Sequence, residues 1–192
     1  GAEITRFDVG EDEFGADRSL EAMAQAAREA GEVPYVIHLS ETPRPLGALG
    51  YVVAAEELLA DAERLGIDIG TVVVPSGSAS THAGTLVGLR AAGRADIRVL
   101  GTCVRRLASE QGPRVQRVCS ALETMMGLPP TVEDADVNVS DATFEGGYGV
   151  IGDSTREAMR LGAQLEALVL DPVYTAKGFA GLLHHLRAGT DE

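Results

Sequence analysis

Between Thr71 and Gly84 the chain passes from a β-branched run, Thr71-Val72-Val73-Val74, through a loop of small residues, Pro75 to Thr81, directly into a helical pattern that runs to about Ala92. β-Branched side chains favour extended backbone, whereas the Ala- and Leu-containing stretch that follows suits a packed helix. The junction points to a mixed fold, and the same alternation recurs along the chain. Short apolar runs at Ala2–Phe7, Tyr35–Leu39, Ile97–Val104, Val137–Val139 and Ala167–Leu170 predict further strands. Helical patterns cover Ser19–Ala30, Ala48–Leu65, Leu107–Met126, Ser154–Leu165 and Tyr174–Arg187, with Gly112-Pro113 expected to interrupt or restart the third of these. Strands buried on both faces and separated by helices imply an α/β fold with a doubly wound, mostly parallel sheet. The stretch Ser40–Gly47, rich in proline, is the expected crossing between two lobes.

A formal net charge of −13 argues against nucleic acid as a partner, because phosphates demand a basic surface. No apolar run approaches the ~20 residues that span a bilayer, so no membrane partner is expected. Cys103 and Cys119 have no metal-ligand spacing, and the four histidines form no HxxxH or HExxH pattern; no metal site is expected. Cys103, in an apolar run, reads as a small hydrophobe. The start, Gly1-Ala2-Glu3-Ile4, has neither the basic nor the apolar region of a signal peptide. Beginning without Met at an apparent strand, it carries the expectation that an upstream segment is missing.

Four local patterns carry the candidate chemistry. The loop Gly77-Ser78-Ala79-Ser80-Thr81 lies between a strand and a helix start, where backbone N–H groups converge on an anion and hydroxyls add donors. A phosphate is the natural guest, although Ser80 or Thr81 could equally serve only to cap the helix. It is neither a Walker loop nor a GxGxxG fingerprint. In Leu170-Asp171-Pro172-Val173-Tyr174-Thr175-Ala176-Lys177, a turn delivers Tyr174 and Thr175 to the sheet's carboxyl edge, where open α/β sheets bind ligands. Asp171 is expected to hold that turn. Glu145-Gly146-Gly147-Tyr148-Gly149 places one aromatic in a loop built for close backbone approach, with Glu145 expected to be solvated. Pro45-Leu46-Gly47-Ala48-Leu49-Gly50-Tyr51 opens a long helix whose glycines suit close packing. His82 reads as a helix-start residue without chemistry.

Taken in order, PLGALGY, SGSASTHAG, GGYGV and LDPVYTAK resemble the D-cysteine desulfhydrase/1-aminocyclopropane-1-carboxylate deaminase family, and the likeness runs along nearly the whole chain. The resemblance implies the tryptophan-synthase-β-like, fold-type-II architecture around pyridoxal 5'-phosphate. Residues 1–46 would be the remainder of the small domain and 47–192 an incomplete large domain. By the same likeness Gly77, Ser78, Ala79, Ser80 and Thr81 hold the cofactor phosphate, and Thr175 faces the pyridine nitrogen. Tyr174 stands beside the ring as a candidate for substrate proton chemistry, and Tyr148 lines the substrate pocket. Deaminases of the family resemble one another in having Glu at the position of Thr175, where it keeps the nitrogen protonated and the ring a stronger electron sink. Thr175 is similar to the desulfhydrase branch, which implies β-elimination from a small amino acid. D-cysteine would give pyruvate, ammonia and sulfide; cysteate would give sulfite instead. A cytoplasmic homodimer is implied for the full-length protein.

The departures from the family are specific. The Schiff-base lysine and the serine-asparagine loop for the substrate carboxylate belong to motifs that the chain does not contain. The GGSN-like stretch is replaced by Leu39-Ser40-Glu41-Thr42-Pro43-Arg44, and the family's last strand and glycine-rich turn would follow Glu192. Lys177, the only lysine, falls where the resemblance implies a structural lysine rather than the covalent anchor. The expectation is a lyase portion truncated at both ends and inactive by itself. The rivals are a deaminase, a non-catalytic module that holds a phosphorylated ligand, and a nucleotide- or NAD-binding domain, the last disfavoured by the missing fingerprint.

Overall fold

The structure is a computed structural model that describes residues 4–6, 13–42 and 44–189. It divides into two compact units, one up to residue 42 and one from residue 43 onward. In the first, helix α1 (Glu13–Glu29) is longer than its pattern predicted and is followed by an extended stretch. The Asp17 carboxylate accepts bonds from Leu39 N–H (2.7 Å) and Ser40 N–H (3.0 Å) and from the Ser40 hydroxyl. Burial opposes the charge, but these bonds outweigh it and hold the Asp17 carboxyl below its ordinary range. The predicted strand Tyr35–Leu39 is corrected: the stretch is extended but pairs with no ladder among the described residues. The predicted strand Ala2–Phe7 lies partly outside the described residues, and residues 4–6 are not in a strand.

The second unit contains helix α2 (Leu46–Leu65), strand β1 (Thr71–Ser76), helix α3 (Ser80–Ala91), strand β2 (Arg98–Cys103) and helix α4 (Ala108–Met126). After a 3-10 turn (Asp134–Asp136) come strand β3 (Asn138–Ser140) and helices α5 (Asp153–Glu166) and α6 (Thr175–Ala188). The sheet is parallel throughout, in the order β1-β2-β3, with Thr71 opposite Arg98 and Leu100 opposite Asn138. Gly101 and Thr102 show how it is covered. A Cβ on Gly101 would strike the His82 ring of α3, while a Cβ on Gly181 of α6 would strike Thr102. Neighbouring strand residues point to opposite faces, so α3 and α6 cover opposite sides of the sheet.

The main core is built from Ala48, Val52, Ala55, Leu86, Leu89, Ile97, Val99, Val115 and Leu122, buried between helices α2–α4 and one sheet face. Cys103 and Cys119 are buried free thiols, and burial pushes both up to about 12, which makes them inert apolar fillers at neutral pH.

Two further predictions are corrected. Helix α4 runs unbroken through Pro113, which sits exposed in its second turn, where water can satisfy the carbonyl that proline leaves unbonded. The segment Ala167–Leu170 forms no strand: Ala167 ends α5 in left-handed geometry (φ 54°), and Val169 is 99% exposed.

Candidate functional site

At the carboxyl end of β1 the backbone turns sharply. Ala79 takes φ 78°, left-handed, immediately before the right-handed residues of α3. Consecutive left- and right-handed residues direct their N–H groups into one concavity. Ala79 is itself the N-cap of α3 and no side chain caps the helix; Ser80 and Thr81 lie inside its first turn. The capping reading of these two residues is thereby corrected; the Ser80 N–H makes only a long bond to the Ser78 hydroxyl (3.4 Å), and the amides that follow it at the helix start keep their capacity for an anion. The carbonyls of the loop are engaged instead: Arg106 Nη1 donates to Gly77 O (3.0 Å) and Arg114 Nε to Ser78 O (3.1 Å). A Cβ on Gly77 would lie 3.1 Å from Val104 Cγ2 and 3.8 Å from Tyr174 Cε1. The tight contact is the one with Val104, which a side chain at position 77 would push aside, whereas the distance to the tyrosine ring is ordinary van der Waals contact.

Beneath the loop lies a buried polar cluster that the sequence patterns did not reveal. Ser76, the last residue of β1, accepts a bond from Gln111 Nε2 (2.9 Å) and lies 3.3 Å from His82 Nδ1. His82 is fully buried, and desolvation lowers its imidazole to about 4, so it is neutral at physiological pH. The expectation that it starts a helix holds for its position; the ring, however, is a structural part of the floor. No motif spacing connects Ser76, His82 and Gln111, because they meet only when α3 and α4 close over β1.

Tyr174 precedes α6, and its hydroxyl lies 2.5 Å from that of Tyr148, with the rings edge to face at 6.0 Å. Both side chains are exposed, Tyr148 at 49% and Tyr174 at 43%. The bond to Tyr148, then burial, raises the Tyr174 phenol above its ordinary range, which already lies well above neutral pH. The Arg105 guanidinium lies 5.2 Å from the centre of the Tyr148 ring, a cation–π distance.

Thr175 begins α6. Its hydroxyl donates to Asp171 Oδ2 (2.7 Å) and accepts from Asp171 N–H (2.8 Å). Asp171 also accepts from the amides of Val173, Tyr174 and Thr175 at 2.8–2.9 Å. It holds the turn as expected. Desolvation opposes the charge, but these bonds bring the carboxyl down to about 2. Glu145 corrects the solvated reading: it binds Gly152 N–H (3.1 Å), Ser154 N–H (2.7 Å) and the Thr155 hydroxyl (2.6 Å), fastening the tyrosine loop to the start of α5. Gly77, Tyr174 and Tyr148 thus converge from three separate segments, with Thr175 adjacent in the chain. A helix start whose N-cap residue makes no side-chain cap bond, beside an aromatic ring and a protonated phenol, suits a phosphorylated aromatic ligand.

Known proteins agree with that chemistry. Residues 1–191 match the family described as pyridoxal-phosphate dependent enzyme. Over 167 residues the chain is 40% identical to the D-cysteine desulfhydrases of Salmonella typhi and Salmonella schwarzengrund (strain CVM19633), a match covering 87% of this chain and 49% of each relative. It therefore spans about half the length of the curated relatives it matches. Its fold is similar to the crystal structure of an ACC deaminase homologue, with a TM-score of 0.83 and 29% identity over 97% of this chain and 55% of that one. A threonine deaminase from T.th. is similar in fold alone, with a TM-score of 0.53 and 23% identity over 90% of this chain and 65% of that one.

Proposed function

The chain belongs to the pyridoxal-phosphate dependent enzyme family, and we propose that it is the phosphate-cup and tyrosine portion of a carbon–sulfur lyase of the D-cysteine desulfhydrase type. Its α/β fold with a parallel sheet is that of the fold-type-II enzymes of this cofactor. The observation that carries the reading is the contact of the Tyr148 and Tyr174 hydroxyls beside the uncapped loop at Gly77. Identity to D-cysteine desulfhydrases supports a cysteine-like substrate. The overall reaction is cysteine plus water giving pyruvate, ammonia and hydrogen sulfide; with cysteate the sulfur leaves as sulfite. We read residues 1–46 as part of the small domain and 47–192 as the incomplete large domain, supported by the division into two units near that point. The full-length protein is read as a cytoplasmic homodimer.

In this reading the amides and hydroxyls of Gly77 to Thr81 bind the cofactor phosphate, and Thr175 stands at the pyridine nitrogen. When bound, the cofactor supplies an electron sink for the bond-breaking at the amino acid's α-carbon. Tyr174 Oη, a protonated phenol held by the Tyr148 hydroxyl, gives or retrieves a proton at the substrate's reacting end. Tyr148 orients that hydroxyl and closes the pocket wall. Lys177 is fully buried among carbonyl acceptors and supplies no covalent anchor.

Equilibrium titration of the chain with pyridoxal 5'-phosphate and with pyridoxal tests this. The phosphate should tighten binding by at least about tenfold, roughly the 1.4 kcal/mol expected of charge-assisted bonds at a helix start. Gly77→Val should abolish the difference. Borohydride reduction and peptide mapping should leave Lys177 unlabelled. Equal affinity for the two compounds, or stoichiometric label on Lys177, would sink the reading.

A further inference from the structure

The backbone around Tyr148 has little regular hydrogen bonding of its own. Glu145, Gly146, Gly147 and Gly149 all have positive φ, at 52°, 84°, 147° and 74°. The turn bonds along this backbone are long: Gly147 N–H to Phe144 O at 3.5 Å and Val150 N–H to Gly147 O at 3.3 Å. Two side chains fasten it. Glu145 ties one side to the start of α5, as described above. Lys177 reaches in from α6, donating to Gly147 O (2.8 Å) and Phe144 O (3.2 Å), with its ammonium 5.7 Å from the centre of the Phe144 ring.

Burying an ammonium is costly unless its protons are engaged. Lys177 is fully buried, and the groups that receive it are the carbonyls of this loop. The nearby Glu145 charge partly offsets its desolvation. Gly147 immediately precedes Tyr148, and Lys177 lies three residues after Tyr174, on the same side of the helix start. One side chain thus ties the segment carrying one phenol to the helix carrying the other.

We infer that Lys177 is a positioning residue that holds the Gly147–Tyr148 backbone against α6, so that the hydroxyls of Tyr148 and Tyr174 meet. The inference rests on the reading of those two tyrosines as site residues. Lys177 touches neither hydroxyl and acts only through the loop.

The test uses the whole chain without cofactor, so its failure is separate from failure of the pyridoxal-phosphate titration. NMR of the chain labelled with 13Cζ-tyrosine resolves its four tyrosines. In the wild type Tyr174 should titrate above the ordinary phenol range. In Lys177→Met, which keeps the length and removes the donors, that late titration should return to the ordinary phenol range. The nearby Arg105 and Asp171 charges are the same in both proteins. In a Tyr148→Phe background, Lys177→Met should bring no further change at Tyr174. Lys177→Arg, which keeps donors for both carbonyls, should retain the late titration and carries the test if Lys177→Met does not unfold cooperatively. A folded Lys177→Met that is less stable to urea yet keeps the late titration overturns the proposal. So does a folded Lys177→Arg that has lost it.

Discussion

His82 and Asp171 both lie next to the site, and burial favours the neutral form of each. His82 yields to it, whereas Asp171 stays charged because its oxygens are fully bonded. His82 should make stability depend on pH in a defined window. Its folded value of about 4 lies below the ordinary 6.5, so between these pH values the unfolded chain binds more protons than the folded one. The contribution is fully present above pH 6.5 and is lost as pH falls toward 4, to a total of about 3 kcal/mol. Urea unfolding at a series of pH values should show this slope, and His82→Leu should flatten it; an unchanged slope would refute the assignment. Asp171 acts lower, because its contribution persists until pH falls below 3.8 and toward about 2. Asp171→Ala leaves three amides at the start of α6 without their acceptor and should lower stability by about 1–2 kcal/mol. The amides of Tyr174 to Gly178 should then exchange faster with deuterated solvent.

At the scale of elements, helices α2 and α3 are held together by the absence of side chains. A Cβ on Gly84 would strike Ala48 O and Tyr51 Cβ, and one on Gly88 would lie 2.8 Å from Ala55 Cβ and 2.9 Å from Val52 O. These contacts include backbone, which cannot rotate away, so the helices would have to separate. Gly88→Ala should lower stability by about 1–3 kcal/mol, as overpacking does. Because α3 also presents the anion cup, its displacement should weaken pyridoxal-phosphate binding in a variant that alters no residue of the cup. Normal binding by folded Gly88→Ala would show that the cup does not depend on this packing. The glycines of the opening PLGALGY pattern behave differently: a Cβ at Gly47 or Gly50 meets nothing within 4 Å. The close approach expected there occurs from the other side, through Gly84 and Gly88.

For the whole molecule, the extended stretch after α1 matters most to behaviour in solution. Val33, Tyr35 and Ile37 are 98%, 81% and 75% exposed, alternating along a backbone that has no ladder partner among the described residues. An apolar, unpaired, extended segment is a template for further pairing. Light scattering should therefore show concentration-dependent self-association of the chain, and Val33→Lys with Ile37→Lys should suppress it. Association unchanged in the double variant would place the contact elsewhere.

Much of this architecture was legible in the residues alone. β1, α3 and their small-residue loop follow from local preferences, since β-branched runs extend, Ala- and Leu-containing patterns coil and small residues turn. Local patterns also drew attention to Gly77, Tyr148 and Tyr174, which the fold brings near one another, because small residues allow close approach and a lone aromatic stands out from the glycines around it. What local preference could not decide was which extended runs become strands. Tyr35–Leu39 and Ala167–Leu170 have strand composition, yet a strand exists only where a neighbouring backbone takes up its N–H and C=O groups, and the described residues supply none. Nor could spacing show that Ser76, His82 and Gln111 share one cluster, or that Lys177 fastens the loop of Tyr148. Hydrogen bonds that join residues 30 or 35 positions apart leave no periodicity in the chain. They are decided when helices close over the sheet and buried polar groups must find partners, which is a property of the tertiary fold.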